Sequence, residues 1–363
     1  MGVFSDIPLQ RIASDLTGWQ RGRLVAARPT PHGIENSNYF ISLREEQGVQ
    51  TEWVLTIMEH PPEPTGLEVL ARLDAAGLPV AAPVADVSGR RVGRIAGWPA
   101  LLSPRLAGSH PERPGVTHCR ALGSFIGRMH RHTRDQQAPE HPRGLGWLEA
   151  CRRQQAHRLS PDGMRQLRRA LTGLAAASAR SDFASLPAGA VHGDLFRDNV
   201  LMQEDRITGV IDFHHAARAP LAFDLAVAVD DWCRDADGEA SAGLDETAMI
   251  ALLRAYHAER ALTFSELLHW PTLVVLAATR FWVARLVSPR KPPEEMAARL
   301  SHHLERPVWL HPDLICRGSH EETARQRASS ANTENSSPES VHSWSRANPA
   351  SAASRTNSSG AYL

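Results

Sequence analysis

Three side chains in one stretch of this chain have the types and spacing that phosphoryl transfer requires. His192-Gly193-Asp194 is followed by Asn199, five residues after the acid, and a second acid closes Gly209-Val210-Ile211-Asp212-Phe213. Phosphoryl transfer needs a carboxylate to take the acceptor hydroxyl's proton. It also needs an amide and a second carboxylate to hold Mg²⁺ on the phosphates. Either segment by itself arises by chance in unrelated chains, and only the pair at this spacing carries information.

The surrounding residues must position that set. Ala190-Val191, Val200-Leu201 and Val210-Ile211 flank the polar groups, which predicts a loop, a strand, a turn at Glu204-Asp205 and a second strand. Ala222 to Val229 predicts a buried helix whose Asp224 either caps it or braces the loop before it. His192 is expected to brace the same loop. His192, His214 and His215 have no partner at a zinc spacing, so a metal reading of the histidines is set aside.

Upstream, residues 1–102 read mainly as strands with one helix. Gln47-Gly48 predicts a hairpin between a strand entered at Asn36-Ser37-Asn38 and Trp53–Ile57. Gly33 with Asn36, Ser37 and Asn38 either offers backbone N–H groups to nucleotide phosphates or simply starts that hairpin. A helix is expected over about Gly66–Ala76, then strands over Arg91–Ile95 and Trp98–Leu102. The pattern turns helical after Ser103-Pro104-Arg105-Leu106-Ala107-Gly108, the expected lobe boundary. Leu102 and Ser103 there are candidate adenine contacts through backbone groups, since Pro104 has no N–H. Helices are predicted over Thr117–His132, Ser160–Ala179, Leu244–Arg260, Thr263–Leu268 and Pro271–Leu286. Residues 103–316 form the expected catalytic and substrate lobe. Residues 317–363 are too poor in aliphatic side chains to offset their ordering entropy and are expected to be a disordered, dispensable tail.

The chain has 363 residues, 40 basic and 40 acidic, which gives no bias toward nucleic acid. Four widely spaced cysteines suit a reduced, cytoplasmic setting. The start of the chain lacks a signal-peptide pattern. Leu273 to Val287 is strongly apolar but holds Arg280 and Arg285, so a buried helix explains it better than a membrane span. The expected partner is a small molecule, and nothing in the sequence fixes an oligomeric state.

The spacing His-x-Asp-x-x-x-x-Asn, then Ile-Asp-Phe, resembles the catalytic loop and metal-binding acid of kinase-like phosphotransferases. His214 in place of a glycine after Phe213 points to the small-molecule branch. Gly33 to Phe40, Val54 to Glu59, Gly77 to Val80, the His192–Asn199 loop, Val210 to Phe213 and Phe223 to Ala226 occur in one order. With Arg280-Phe281-Trp282, Arg285-Leu286, Lys291-Pro292 and Arg299-Leu300, they are similar to the homoserine kinase group of the aminoglycoside/choline phosphotransferase family. The similarity spans roughly residues 1 to 305. Lys291 is the only lysine, which excludes a Walker A loop, and no Gly/Ser-rich phosphate loop is present.

The resemblance implies an α+β, two-lobed protein-kinase-like fold, with a small antiparallel-sheet lobe followed by a larger, mainly helical lobe. It implies ATP, Mg²⁺ and phosphorylation of the L-homoserine side-chain hydroxyl, a step of threonine biosynthesis. By position Asp194 would be the base, Asn199 and Asp212 the Mg²⁺ ligands and Asp224 the support of the loop. Three positions depart from the pattern. Thr56 stands where most kinases carry a phosphate-binding lysine, His214-His215 replace expected aromatic residues, and Asp230 replaces an expected asparagine. Asp230 or Asp231 is a candidate for the substrate ammonium, and Arg280 or Arg285 for its carboxylate. The rival readings are a kinase for choline, ethanolamine, hydroxylysine or an aminoglycoside, and a nucleotide-binding pseudokinase.

Overall fold

Strand pairing in the computed structural model starts from Gly48, whose positive φ turns β2 (Ser37–Arg44) back onto β3 (Gln50–Ile57). Ser37 lies opposite Ile57, and the register runs unbroken to Arg44 opposite Gln50. β1 (Arg23–Pro29) adds to the far side of β2. β5 (Trp98–Pro104) joins β3, and β4 (Gly93–Ile95) closes the antiparallel order β1-β2-β3-β5-β4. Ala96 and Gly97 between the last two both have positive φ, as a tight two-residue hairpin demands. The structure describes residues 7–30, 36–58, 63–235, 243–287 and 294–315. Gly33 and the tail expected over 317–363 lie outside them.

Alternation decides what each face of this sheet does. Tyr39, Ile41, Leu43, Leu55, Ile57, Ala100 and Leu102 pack against Ile12 and Leu16 of α1 (Leu9–Leu16) and against Trp19. That helix was not expected: it is short, and its buried face rests on just those two residues. The opposite face carries Asn38, Phe40, Val54, Thr56, Leu101 and Ser103. α2 (Pro64–Ala75) ends before Gly77, whose positive φ closes the helix.

The second lobe is built of helices around one large core. α3 (Val116–Thr133), α4 (Leu145–Gln154), α5 (Pro161–Ser178) and α6 (Ser181–Ala184) come first. Two short antiparallel pairs follow: β6 (Ala188–Val191) with β9 (Ala217–Pro220), and β7 (Val200–Gln203) with β8 (Arg206–Val210). α7 (Ala222–Trp232), α8 (Glu246–Glu259), α9 (Phe264–Leu268), α10 (Trp270–Val287) and α11 (Glu294–Glu305) complete it. α10 is long and apolar enough to cross a bilayer, but its Leu273, Val274, Ala277, Ala278 and Phe281 are buried in this core.

β5 continues to Pro104, two residues past the expected strand end at Leu102, because Ser103 and Pro104 still pair with Val54 and Trp53. α4 and α11 had no counterpart among the expected helices.

Candidate active site

β6 delivers the chain into the loop His192 to Asn199. Gly193 there has φ +79°, and a side chain at that position would press on the His215 carbonyl, so glycine is required. Asp224 fixes this turn from α7. Its Oδ2 accepts the His192 N–H at 2.8 Å and its Oδ1 accepts the Gly193 N–H at 2.7 Å. His192 Nδ1 accepts the Asp194 N–H at 3.2 Å, and its Nε2 lies 2.9 Å from the Ile211 carbonyl. That histidine therefore ties the loop to the segment carrying Asp212, and it packs on Phe213 with ring centroids 4.5 Å apart.

Asn199 Nδ2 donates to the Asp194 carbonyl at 2.8 Å and to Asp194 Oδ2 at 3.2 Å. Both amide hydrogens are thus directed at Asp194, and Oδ1 is left for another partner. Asp194 itself is pushed up to about 6 by burial, with the Asp212 and Asp198 carboxylates adding to the rise and His192 opposing it. Asp212 sits in the left-handed region at φ 65°, rare for a non-glycine residue and of the kind stored at functional sites. Its exposed carboxylate is close enough to Asp194 for the two charges to repel. An amide oxygen and a carboxylate are the hard oxygen ligands that Mg²⁺ takes when phosphates and water complete its shell.

α2 packs directly on this segment. A Cβ on Gly66 would meet the Phe213 carbonyl oxygen at 2.5 Å, so only glycine lets the helix approach. The sheet lobe is thereby held against the loop that carries Asp212.

Behind Asp224 lies a run of polar contacts that the sequence did not suggest. His130 Nε2 is 3.1 Å from Asp224 Oδ2, and its Nδ1 is 2.9 Å from the Tyr256 hydroxyl. Arg260 bonds both that hydroxyl, at 2.8 Å, and Glu266, at 2.9 Å. His130 is fully buried on the apolar stripe of α3, one turn after Ile126, and a histidine on such a stripe is the signal available. Burial would raise Asp224, but the hydrogen bond and charge of His130, with His192 and the Gly193 N–H, hold it below its ordinary value.

The nucleotide-side residues fall on the open face of the sheet. Thr56 stands opposite Asn38 and donates its hydroxyl to Asn38 Oδ1 at 2.7 Å. Ser37 is buried at the start of β2, and Asn36 immediately precedes it. Leu102, a candidate through its backbone groups, lies opposite Leu55 in the β3–β5 ladder. Its side chain points into the sheet lobe's core and its carbonyl accepts the Val84 N–H at 2.8 Å. The β5 residues sharing a face with Thr56 are instead Leu101 and Ser103.

Both acids proposed for a substrate ammonium are corrected by their surroundings. Asp230 is buried and meets Arg234 and His303, each at 2.8 Å, and Arg299 at 3.7 Å. Asp231 accepts the Arg197 N–H at 2.8 Å and pairs with its guanidinium at 3.2 Å. Cations of the chain itself have claimed both carboxylates. Asp231 supports the catalytic loop, since Arg197 lies between Asp194 and Asn199.

Of the two arginines, α10 brings only Arg280 to the loop. Its Nη2 donates to the Gly193 carbonyl at 3.3 Å and contacts His141 Nε2, and its guanidinium lies 4.8 Å over Phe223. Arg285 is five residues on, about 140° around the helix. Its Nε is buried with no hydrogen-bond partner.

A family model, the phosphotransferase enzyme family, matches residues 26–262. The chain belongs to this family. The phosphotransferase is 38% identical over 293 residues to a homoserine kinase of Pseudomonas aeruginosa, with 79% of this chain and 89% of that protein covered. It is 37% identical over 290 residues to the homoserine kinase of Methylobacillus flagellatus, with 79% and 87% covered. Its fold matches a microcompartment-associated aminopropanol kinase at TM-score 0.60 and 19% identity, with 82% and 94% covered. An amicoumacin kinase solved in complex with AMP-PNP, Ca²⁺ and Ami matches at TM-score 0.58 and 18% identity, with 82% and 92% covered. The architecture is therefore the kinase-like α+β fold in two lobes, and the phosphotransferase is an ATP-dependent small-molecule kinase.

Proposed function

We propose that the enzyme transfers the γ-phosphoryl group of ATP to the side-chain hydroxyl of L-homoserine, giving O-phosphohomoserine for threonine biosynthesis. The observation that carries this reading is the 35–38% identity, over nearly the whole length of several relatives, to proteins named homoserine kinase. The acceptor hydroxyl would lie against Asp194, which orients it and takes its proton as the bond to phosphorus forms. Asn199 and Asp212 would hold Mg²⁺, which when bound neutralises charge on the phosphates. Asp224 and His192 act through the loop, as positioning residues. The nucleotide would lie under the sheet face of Asn38, Thr56 and Leu101, with Ser103 at the hinge and Asn36 and Ser37 beside the phosphates. The three free cysteines among the described residues, Cys119, Cys151 and Cys233, suit a reducing, cytoplasmic setting.

The test is ADP release with Mg·ATP against L-homoserine, choline, ethanolamine, hydroxylysine and an aminoglycoside. Homoserine should give the highest kcat/KM. A higher value for any of the others would overturn the substrate while leaving the kinase in place.

Asp212→Ala is expected to weaken Mg·ATP binding at least about tenfold, since the carboxylate is one of few protein ligands available to a cation that keeps much of its water. Calorimetric titration showing wild-type affinity would remove Asp212 from the metal site.

A further inference from the structure

Arg280 is a cation without an anion. Only 4% of its surface is exposed, and among the described residues no carboxylate comes within ion-pair distance of it. Its Nε is buried with no hydrogen-bond partner. A buried charge is ordinarily paired, because burial strips away its hydration. Here the nearest acids, Asp194 and Asp224, attract it only from a distance, and Arg143 repels it. Burial and that repulsion pull Arg280 down to about 9, so it still carries its charge at neutral pH.

His141 makes the deficit sharper. Its Nδ1 accepts the Arg143 backbone N–H at 3.0 Å. Burial, Arg280, His215 and Arg143 press the imidazole down to about 3, so it is neutral in the cell's pH range. A neutral imidazole that accepts at Nδ1 carries its hydrogen on Nε2. That Nε2–H faces Arg280 Nη2, another donor. Two donors meet at one point beside Gly193, the residue before the proposed base. Both are within 3.6 Å of the position a Cβ on Gly193 would take. Phe223 and Phe281 pack against the guanidinium, whose carbon lies 4.8 and 5.7 Å from their ring centroids.

We propose that Arg280 and His141, backed by the charge of Arg143, form the subsite that receives the α-carboxylate of the amino-acid acceptor. This rests on the reading of the enzyme as a kinase of homoserine. A carboxylate offers two acceptor oxygens, one for the guanidinium edge and one for the imidazole N–H, and it supplies the missing charge. Every group in the cluster comes from the helical lobe: the loop after α3, α10, and the turn at Gly193. The nucleotide's phosphates would be held from the other side of Asp194, by the ligands at Asn199 and Asp212, which leaves this cluster to the acceptor. A hydroxyl three bonds from a carboxylate-bearing carbon would thus be presented to Asp194 by its anchored far end.

The test compares L-homoserine with 3-amino-1-propanol, the same molecule without its carboxylate. Arg280→Lys, His141→Leu and His141→Gln are assayed beside the wild type. The wild type should favour homoserine in kcat/KM at least about tenfold, the least that leaving a buried charged group unpaired would cost. Arg280→Lys and His141→Leu should each erase most of that preference. His141→Gln, which restores an N–H donor, should recover part of it. An unchanged preference in both disruptive variants overturns the subsite. So does a loss confined to the KM for Mg·ATP, which would assign the cluster to phosphate. L-2-aminobutyrate, which keeps the carboxylate and lacks the hydroxyl, separates the two readings. Calorimetric binding of it by the wild type and not by Arg280→Lys supports the subsite even if homoserine is not the best acceptor. Absence of binding by the wild type, or equal binding by the variant, overturns it.

Discussion

Asp194→Asn is expected to lower turnover by about 10²-fold or more while leaving Mg·ATP affinity within a few-fold of wild type. The substitution keeps the shape of the side chain and leaves the loop's other anchors, Asp224 and His192, in place. What it removes is the capacity to take a proton. An amide accepts a hydrogen bond from a hydroxyl but does not become its base, so the acceptor stays oriented and chemistry slows. An effect on kcat and kcat/KM together, with little change in nucleotide binding, marks an interaction made chiefly in the transition state. Burial supports the assignment, because a carboxyl pushed up to about 6 is a better base than an ordinary solvated one. Asn199 would still hold residue 194 through its carbonyl at 2.8 Å. Single-turnover rates with calorimetric Mg·ATP binding check this. Turnover within tenfold of wild type, in a variant that melts normally, would take Asp194 out of the role.

The parts of this site legible in the sequence are those whose geometry is local. Asp194, Asn199 and Asp212 lie on one loop and one short hairpin, and the turn at Glu204-Asp205 was readable from the apolar residues on each side. Partners that arrive from far along the chain left no comparable trace. Asp230 and Asp231 read as free acids because, apart from Arg234 four residues on, their cations come from far along the chain, Arg197 on the catalytic loop and Arg299 and His303 on α11. Spacing cannot reveal such a pairing, and an acid pair at the end of a helix looks the same whether it faces a cleft or a buried guanidinium. His130 was hidden for the same reason. His141 lies in an irregular stretch between Pro139 and Pro142, where no periodicity assigns a direction to any side chain.

Asp224→Ala is expected to cost about 3–5 kcal/mol of stability and to depress turnover well below the loss of folded protein. The cost follows from what loses its partner. The His192 and Gly193 N–H groups, held at 2.8 and 2.7 Å, would be left buried and unbonded, and each such donor costs about 1–3 kcal/mol. His130, at 3.1 Å, would lose its buried hydrogen-bond partner as well, at a further cost of about 1–3 kcal/mol. These losses overlap because all three donors share one carboxylate, so the range is not their sum. In a chain of this size the melting temperature should fall by roughly 10 °C. Asp224→Asn should not rescue it. The two backbone N–H groups go to different oxygens of Asp224, so an amide in either orientation sets its NH₂ against one of them. Activity measured well below the variants' melting range separates positioning from simple unfolding. A loop that has lost its clamp misplaces Asp194 and Asn199 even in folded molecules, and a shift near 1 Å is enough to cost about 10²-fold in rate. Thermal unfolding that stays within about 2 °C of wild type, or folded variants with normal kcat, would show that Asp224 is only a buried acid and not the anchor of the catalytic loop.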